Sequence, residues 1–544
     1  MSTGTAAPNR PDTRPGRGSE AAGRDSFGHT LWAEWTKFRT VRGWVIGMVI
    51  AGLLTVLIGY LSAAGSQTGC GPSGGPCQWV LPLGPGGEAV TDSFYFVHRS
   101  LAGNGSITVR VTSLTGTLPS ASGGRVHANI GGNPQATSHP GVEQWSKAGI
   151  IIKASTRQGS AYAAVLVSGD HGTRMQDNYT QDIAGPPGRP SAASPRWLRL
   201  TRSGGTITGY ASADGTHWTQ IGTATLAGLP ATVQVGLFAT SPAYSLATSQ
   251  GIVGSSSTGG PTLATGVFDH VGLRGASSAG TWRGSLIGGG PNQAYPVQGG
   301  RYHQSGGTFT VTGSGDIAPE LANGPGPGQS IQFALVGTLF GLIAVVVVGA
   351  MYITAEYRRG LIRTTLAASP QRGRVLAAKA VVIGAVAFVT GLVAAIVAIP
   401  LSTHVSRANG NYIYPVNALT EARIVAGTAA LLAVAAVLAM AIGAALRRSA
   451  IAVTLVIVVI VLPYLIAVTN LLSVSGGQWL LRLAPAAAFS IQQAIPNYPQ
   501  VSNNRCSAAL GCYPLAPWTG FAVLCVWAAA ALALALFLLR RRDA

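Results

Sequence analysis

The chain has 544 residues, of which 47% are hydrophobic and only 10% charged. Soluble globular domains carry about 25% charged residues, so this balance excludes an ordinary water-soluble protein and points to a bilayer. The formal net charge is +19, but the basic residues flank apolar runs and build no nucleic-acid motif, which excludes nucleic acid as a partner and fits the positive-inside bias of membrane proteins.

Residues 1–28 are rich in Gly, Pro, Ser, Arg and Thr and read as a disordered tail. Residues 29–42 follow as an amphipathic helix. On a helical wheel Leu31, Trp35 and Phe38 share one face, with Trp32 and Val41 at its edges and Thr36, Lys37 and Thr40 opposite. That is the pattern of a helix lying in the membrane interface, with Trp32 and Trp35 at headgroup depth and Arg39 and Arg42 against anionic lipid. Anchoring of the first span and contact with a cytoplasmic partner are both open for this helix.

A membrane-spanning helix needs about 20 consecutive apolar residues. Six segments qualify: 44–63, 331–352, 379–400, 423–446, 450–470 and 518–539. A cleaved signal peptide is the rival reading of 44–63, since the run ends in Ser62-Ala63-Ala64-Gly65. Its length and the helix before it favour an uncleaved span. The basic clusters at Lys37/Arg39/Arg42, Arg358–Arg374, Arg447/Arg448 and Arg540–Arg542 all fall on one side if every segment crosses. The opposite loops, 401–422 and 471–517, hold only Arg407, Arg482 and Arg505. The expectation is a multi-pass protein of the cell membrane, with both termini cytoplasmic and residues 64–330 extracytoplasmic.

Within that outer segment, 64–90 reads as a Gly/Pro-rich linker. From 91 to 275 the pattern becomes β. Ile107, Val109 and Val111 alternate with Thr108, Arg110 and Thr112, the period-2 mark of a half-buried strand. Further strands are predicted at 148–154, 161–168, 196–202, 206–212 and 232–239, with turn signals at Gly204-Gly205 and Asp214-Gly215. Residues 276–330 read as a Gly-rich β/linker segment with a last hairpin near Thr308–Thr312. The runs Trp145–Lys153, Tyr162–Val167, Trp197–Arg202, Ser212–Trp218 and Val235–Phe238 resemble the concanavalin A-like lectin/glucanase group of jelly-roll domains. The resemblance implies a β-sandwich and admits a glycan as ligand. The scattered acids Asp92, Glu143, Asp170, Asp177, Asp182, Asp214 and Asp269 form no carboxylate pair of the kind glycoside hydrolysis uses. No catalytic residues are assigned. Trp145, Trp197 and Trp218 are read as core packing in preference to sugar stacking.

The cysteines agree with the topology. Cys70 with Cys77 and Cys506 with Cys512 are close pairs on the outer side, where disulfides persist, and both pairs are expected to close. No metal-ligand spacing appears.

After the second span the chain reads Glu356-Tyr357-Arg358-Arg359-Gly360, then Arg363-Thr364-Thr365-Leu366, a Pro370 break, and Arg372, Arg374 and Lys379. Glu356, beside three arginines, is expected to pair locally. Together with Glu34-Trp35-Thr36-Lys37-Phe38-Arg39-Thr40 before the first span, these residues resemble actinobacterial permeases of the export-type (type 2) ABC family. The resemblance implies an α-helical polytopic membrane protein of six spans, here with an inserted all-β jelly-roll domain. It implies an interface helix at 29–42 (Trp32, Glu34, Trp35, Lys37, Phe38, Arg39) and a coupling helix at 356–366 (Glu356, Tyr357, Arg358, Arg359, Gly360, Arg363, Thr364). Both would contact a separate ABC ATPase subunit, which would bind ATP and Mg, and a second permease copy, identical or different, would complete the assembly.

The chain itself has no P-loop: its four lysines, Lys37, Lys147, Lys153 and Lys379, lack the Gly-Lys-Ser/Thr context. Val474-Ser475-Gly476-Gly477-Gln478 resembles an ABC signature motif but lies between spans on the outer side and is a chance match. No ionisable group sits within the predicted span interiors, which argues against ion coupling. The chain is therefore read as a non-enzymatic permease subunit, and the resemblance implies export as the direction of transport. The alternative is a membrane-anchored glycan-binding or sensor protein acting through its outer domain.

Overall fold

A computed structural model describes residues 27–541, apart from 67–68, 71–74, 77–80, 120–137, 250–254, 278–280, 289–298, 321–327, 362–370, 470, 473, 499, 502–507 and 509–510. The helices are α1 (Phe27–Thr40), α2 (Arg42–Gly65), α3 (Thr338–Arg358), α4 (Arg372–Ala408), α5 (Ala418–Leu446), α6 (Ser449–Val468), α7 (Val474–Leu483) and α8 (Pro517–Arg541). Six of them, α2 to α6 and α8, with a 3-10 turn leading into α3, are long and apolar enough to cross a membrane. The protein is a multi-pass membrane protein with an inserted β domain.

The bundle has a centre and a periphery. The apolar window of α5 is 67% buried, whereas those of α2 and α8 are 22% buried, so α5 is the hub and the other two present most of their surface outward. Without water to drive apolar association, spans pack through small residues. A Cβ on Gly349 of α3 would lie 2.6 Å from the Ala436 carbonyl of α5, and one on Gly391 of α4 would lie 2.9 Å from Ala429 Cα. The buried 3-10 turn Pro485–Gln492 fills the opposite end of the bundle from α1. There Gln492 donates to the Thr338 and Thr428 hydroxyls at 3.1 Å each, which satisfies its amide between α3 and α5.

Between α2 and α3 the chain forms a two-sheet sandwich. The long strand Phe94–Pro119 belongs to both sheets. Residues 95–102 pair with Thr232–Thr240, and that sheet continues through Lys147–Lys153, Tyr162–Ser168, Thr173–Asp177 and Gln181–Ala184. Residues 105–111 pair with Arg196–Ser203, which continues through Thr206–Ser212 and Thr219–Thr225. Ile107, Val109, Leu198, Leu200 and Ile207 of one sheet meet Ile150, Ile152, Val165, Val235 and Leu237 of the other in a single core.

The sheet containing Lys147–Lys153 is also covered on its far side. Phe94, Phe96, Ile151, Tyr162, Tyr179 and Phe238 form a second apolar layer there. Strands Lys147–Lys153 and Tyr162–Ser168 are consequently buried at every residue, which explains their unbroken apolar runs. The domain also extends past residue 275. Arg283–Ile287 pairs with 94–98, and Thr308–Gly313 pairs with 264–268, so the segment read as Gly-rich β/linker adds strands to the sheet. Asp214 is a turn residue, accepting from the Thr216 and His217 amides at 2.8 Å. Trp145 is buried, as expected of a core residue. Trp197 and Trp218 are not: they lie half-buried on the outer face of the sheet, because odd positions of Arg196–Ser203 point away from the core.

The chain enters and leaves the sandwich at one place. Val90–Asp92 pairs antiparallel with Ile317–Pro319. Two lysines of a single strand hold this ladder. Lys153 Nζ lies 2.7 Å from Asp92 Oδ2, and Lys147 Nζ lies 2.7 Å from Asp316 Oδ1 and 2.7 Å from the Ile317 carbonyl. Tyr179 also donates to Asp92 at 2.7 Å, and its carbonyl accepts from Gln500 of the segment before α8 at 3.0 Å. The second layer of the sandwich therefore rests on the helical bundle.

Of the expected disulfides, Cys77 and Cys506 lie outside the described residues; Cys512 is disulfide-bonded and Cys525 is a free thiol.

Two predictions follow from the sandwich. Lys153 and Asp92 are both fully buried, so Lys153→Met leaves a buried carboxylate without its cation and is expected to cost about 3–5 kcal/mol, most of it recovered by adding Asp92→Asn. Thermal unfolding of the detergent-solubilised protein measures this. Burial pushes the Asp177 carboxyl up to about 6. Its folded value exceeds the unfolded one, so its contribution to stability is present below about pH 4 and is lost as pH rises through 6. Asp177→Asn is expected to stabilise by about 1–2 kcal/mol at pH 7.5, allowing for partial exposure, and by nothing measurable at pH 3. Equal effects at the two pH values would contradict this cause.

Candidate functional site

At the end of the bundle away from the β domain, α1 lies across α3 and α4. Val41 has extended backbone (φ −88°, ψ 94°), so the helix expected over 29–42 stops at Thr40 and turns into α2. Its buried stripe is rotated by one residue from the helical-wheel expectation. Glu34 and Phe38 face the bundle with Leu31, whereas Trp35 is exposed along with Trp32 and Arg39. Phe38 packs against the rings of Trp44 and Tyr352 at 6.0 and 5.8 Å. An acid thus occupies the position that an apolar residue was expected to fill.

Its partners explain the choice. Glu34 Oε1 lies 3.1 Å from Lys37 Nζ, and Lys37 Nζ lies 2.7 Å from Glu356 Oε1. Lys379 Nζ lies 2.6 Å from the same Glu356 oxygen and 2.7 Å from Glu34 Oε2. Two carboxylates and two ammonium groups therefore alternate around a closed ring, contributed by α1, the last turn of α3 and the second turn of α4. Tyr352, one turn before Glu356, donates to Glu34 Oε2 at 2.9 Å, and its ring lies 5.0 Å from Lys379 Nζ. Lys379 is completely buried, both carboxylates are nearly so, and the Lys37 side chain is 35% exposed, so Lys37 is the ring's contact with solvent.

The electrostatics favour the charged forms of Glu34 and Lys37. Burial alone would push the Glu34 carboxyl up, but Lys379 and Lys37 outweigh it and hold the group below the usual carboxylate range. Burial would likewise lower Lys37, and hydrogen bonding to Glu356 together with the Glu34 charge raises it instead. The ring carries no net charge, which limits its desolvation cost. Removing one member would strand a partner and is costly in a way that removing a neutral pair is not.

Glu356 was expected to pair with its neighbouring arginines. Among the described residues it does not: it lies on the bundle face of α3, and Arg358 and Arg359 project outward from the positions that follow. Tyr357 is half-buried beneath Arg447, whose guanidinium lies 5.2 Å from its ring. Gly360, with φ at +67°, reverses the chain in a conformation that favours glycine. Arg363 and Thr364 lie outside the described residues. Tyr352 and Arg447 were not anticipated from the sequence. Lys379 was, but only as part of a basic loop. Its signal lay in its neighbours: Ala377, Ala378, Ala380 and Val381 surround it, and a lone lysine in an apolar helix needs a buried acid.

Among the described residues no group of His, Cys, Asp and Glu could hold a metal ion. The ring's charged groups engage one another through Glu34 Oε1 and Oε2 and Glu356 Oε1, while Glu356 Oε2 is buried without a hydrogen-bond partner among the described residues. What the ring can do is lock three helices together.

Comparisons with known proteins place this geometry. The comparison with curated proteins gave no match. Among solved structures, the chain is similar to a functionally unknown protein from Saccharomyces cerevisiae, with 15% identity, 37% of this chain and 84% of that chain covered, and a TM-score of 0.22. It is also similar to the GH43 protein BlXynB from Bacillus licheniformis, with 19% identity, 25% and 24% covered, and a TM-score of 0.15. SCP-B, a member of the Eqolisin family of peptidases, matches with 8% identity, 41% and 98% covered, and a TM-score of 0.21. Scores this low carry no argument about chemistry. The family comparison is decisive: the model for the ABC-2 family transporter protein matches residues 161–544, which takes in every span after the first. The chain belongs to the ABC-2 transporter family and is a membrane permease subunit of an ABC transporter.

Proposed function

We propose that this permease exports its substrate and receives the motion that drives export at the ring-bearing end of the bundle, from a separate subunit that binds and hydrolyses ATP with Mg. The closed ring is the observation that carries the reading. It fixes α1 to α3 and α4, so a push on α1, or on the segment after α3, is borne by two spans at once. Exposed residues beside it offer the contact surface: Trp32, Trp35 and Arg39 on α1, and Arg358 and Arg359 at the end of α3. The 356–366 segment would then serve as the coupling element and α1 as the interface helix, with its two tryptophans against lipid headgroups.

The same end of the bundle carries Arg42, Arg372, Arg374, Arg447, Arg448, Arg540 and Arg541 at the helix ends. That supports a cytoplasmic placement for both termini and an extracytoplasmic one for the β domain. The largely uncovered faces of α2 and α8 are available to lipid and to a second permease copy, identical or different. The β domain is read as a binding or spacer module without hydrolytic activity.

The test is co-purification of the tagged full-length protein in mild detergent, with ATPase activity assayed on the captured complex. Arg358→Ala with Arg359→Ala is expected to lower captured ATPase at least fivefold at equal permease recovery. Lys379→Met alone is expected to destabilise the permease by about 3–5 kcal/mol, and Lys379→Met with Glu356→Gln to recover most of that. The double variant should keep the ATPase yet lose the ATP-dependent change in hydrogen exchange of α4 that is expected of the wild type. Absence of any ATPase across several extraction conditions would sink the coupling reading.

A further inference from the structure

The sandwich has one broad face that touches neither core. Its five strands are Leu263–Ser277, the second half of Phe94–Pro119, Arg196–Ser203, Thr206–Ser212 and Thr219–Thr225. At the usual strand spacing this face is about 19 Å wide. The other sheet carries the second apolar layer, which rests on the bundle through Tyr179 and Gln500. The open face is therefore on the side of the domain turned away from the bundle.

Its composition is uneven. Alternation sends Leu198 and Leu200 into the core and leaves Trp197, Arg199 and Thr201 on the outside. Register places Arg199 between Thr108 and Tyr210. Its Nε donates to the Thr108 hydroxyl at 3.1 Å, and its guanidinium stacks 3.8 Å from the ring centroid of Trp218. Neither Arg199 nor the exposed Arg274 has a carboxylate partner among the described residues, and the Arg274 charge is close enough to act on Arg199. The face's acid, Asp269, is already taken: Arg110 holds it through two bonds of 2.7 and 2.6 Å. At the margin Asp214 is engaged by His217 at 2.6 Å. The surface thus presents two uncompensated guanidinium groups, held on an aromatic and hydroxyl-rich sheet face.

We infer that this face binds an extended anionic glycan or polyol chain, one carrying carboxylate or phosphate groups at intervals. A planar guanidinium with free terminal N–H groups accepts either anion in a forked geometry. The threonine rows complement hydroxyls, and the width suits a polymer lying across strands rather than a small molecule. The inference rests on the proposed extracytoplasmic placement of the β domain. A cysteine placed by Thr223→Cys and labelled in intact cells with a membrane-impermeant maleimide tests that placement separately.

The binding test uses the full-length protein in nanodiscs at 150 mM salt, a level at which diffuse attraction is screened over about 8 Å. The probes are polygalacturonate, poly(glycerol phosphate) and neutral dextran, and the two polyanions distinguish carboxylate from phosphate. Saturable binding of at least one polyanion and none of dextran is expected. Arg199→Ala with Arg274→Ala should weaken it at least tenfold and Trp218→Ala at least threefold, with unchanged circular dichroism. Arg157→Ala, on an exposed loop of the other sheet, should leave it intact. Binding of neither polyanion, equal binding of dextran, or an equal loss with Arg157→Ala would overturn the inference.

Discussion

A lysine removed from water must be met by an acid, and three of this chain's four lysines are fully buried under that constraint, while the partly exposed Lys37 bridges two acids. Lys147 and Lys153 hold the ladder at the root of the β domain through Asp316 and Asp92. Lys37 and Lys379 close the ring with Glu34 and Glu356 at the far end of the bundle. An ammonium is a compact charge with three donors on a flexible stem, and it can bridge two groups that approach from different elements. Arginine, a planar fork, stands at the helix ends and on the open sheet face, and within the protein it forks onto Asp269 and onto backbone carbonyls.

The two sets of bridges share the same pair of helices. α2 and α3 pack along one another, with a Cβ on Gly341 of α3 bringing it to 2.1 Å from the Thr55 hydroxyl of α2. One of their ends continues into the ladder Val90–Asp92 and Ile317–Pro319; the other meets α1 and the ring. A displacement at the ring is therefore shared by two packed helices whose far ends lead toward the β domain.

The spans were legible because a bilayer admits so few backbone solutions that a long apolar run has one meaning. Alternation also located the strands around Ile107–Val111 and Arg196–Ser203, since one face of that sheet is open. It said less about Lys147–Lys153, where both faces are covered and the period-2 signal disappears. The ring was half visible. Glu356 stood out as an acid among arginines and Glu34 and Lys37 were marked by the family resemblance, but the pairing of α1 with the other two helices spans more than 300 residues, and the apolar neighbours of Lys379 do not name its partner. Local reasoning assigned Glu356 to Arg358 and Arg359, and three-dimensional packing turned it the other way. The same limit moved the apolar stripe of α1 by one residue: a wheel sorts side chains by hydropathy, and it cannot know that the facing helix offers a cation. Trp197 and Trp218 were misassigned to the core for a related reason, since a large ring looks buried until its neighbour is seen to be an arginine.

The ladder at the root of the sandwich has a consequence for the chain's modularity. Because Val90 lies opposite Pro319, everything from Ser93 to Asp316 leaves the membrane part and returns to it across a single strand spacing, about 4.8 Å. To the bundle, the entire β domain is topologically a hairpin loop between two spans. Domains whose ends meet in this way can be inserted or removed with little strain on their host, so the permease scaffold and its β domain are free to diversify at different rates, with the lysine-clamped seam and the Tyr179–Gln500 contact obliged to stay in register.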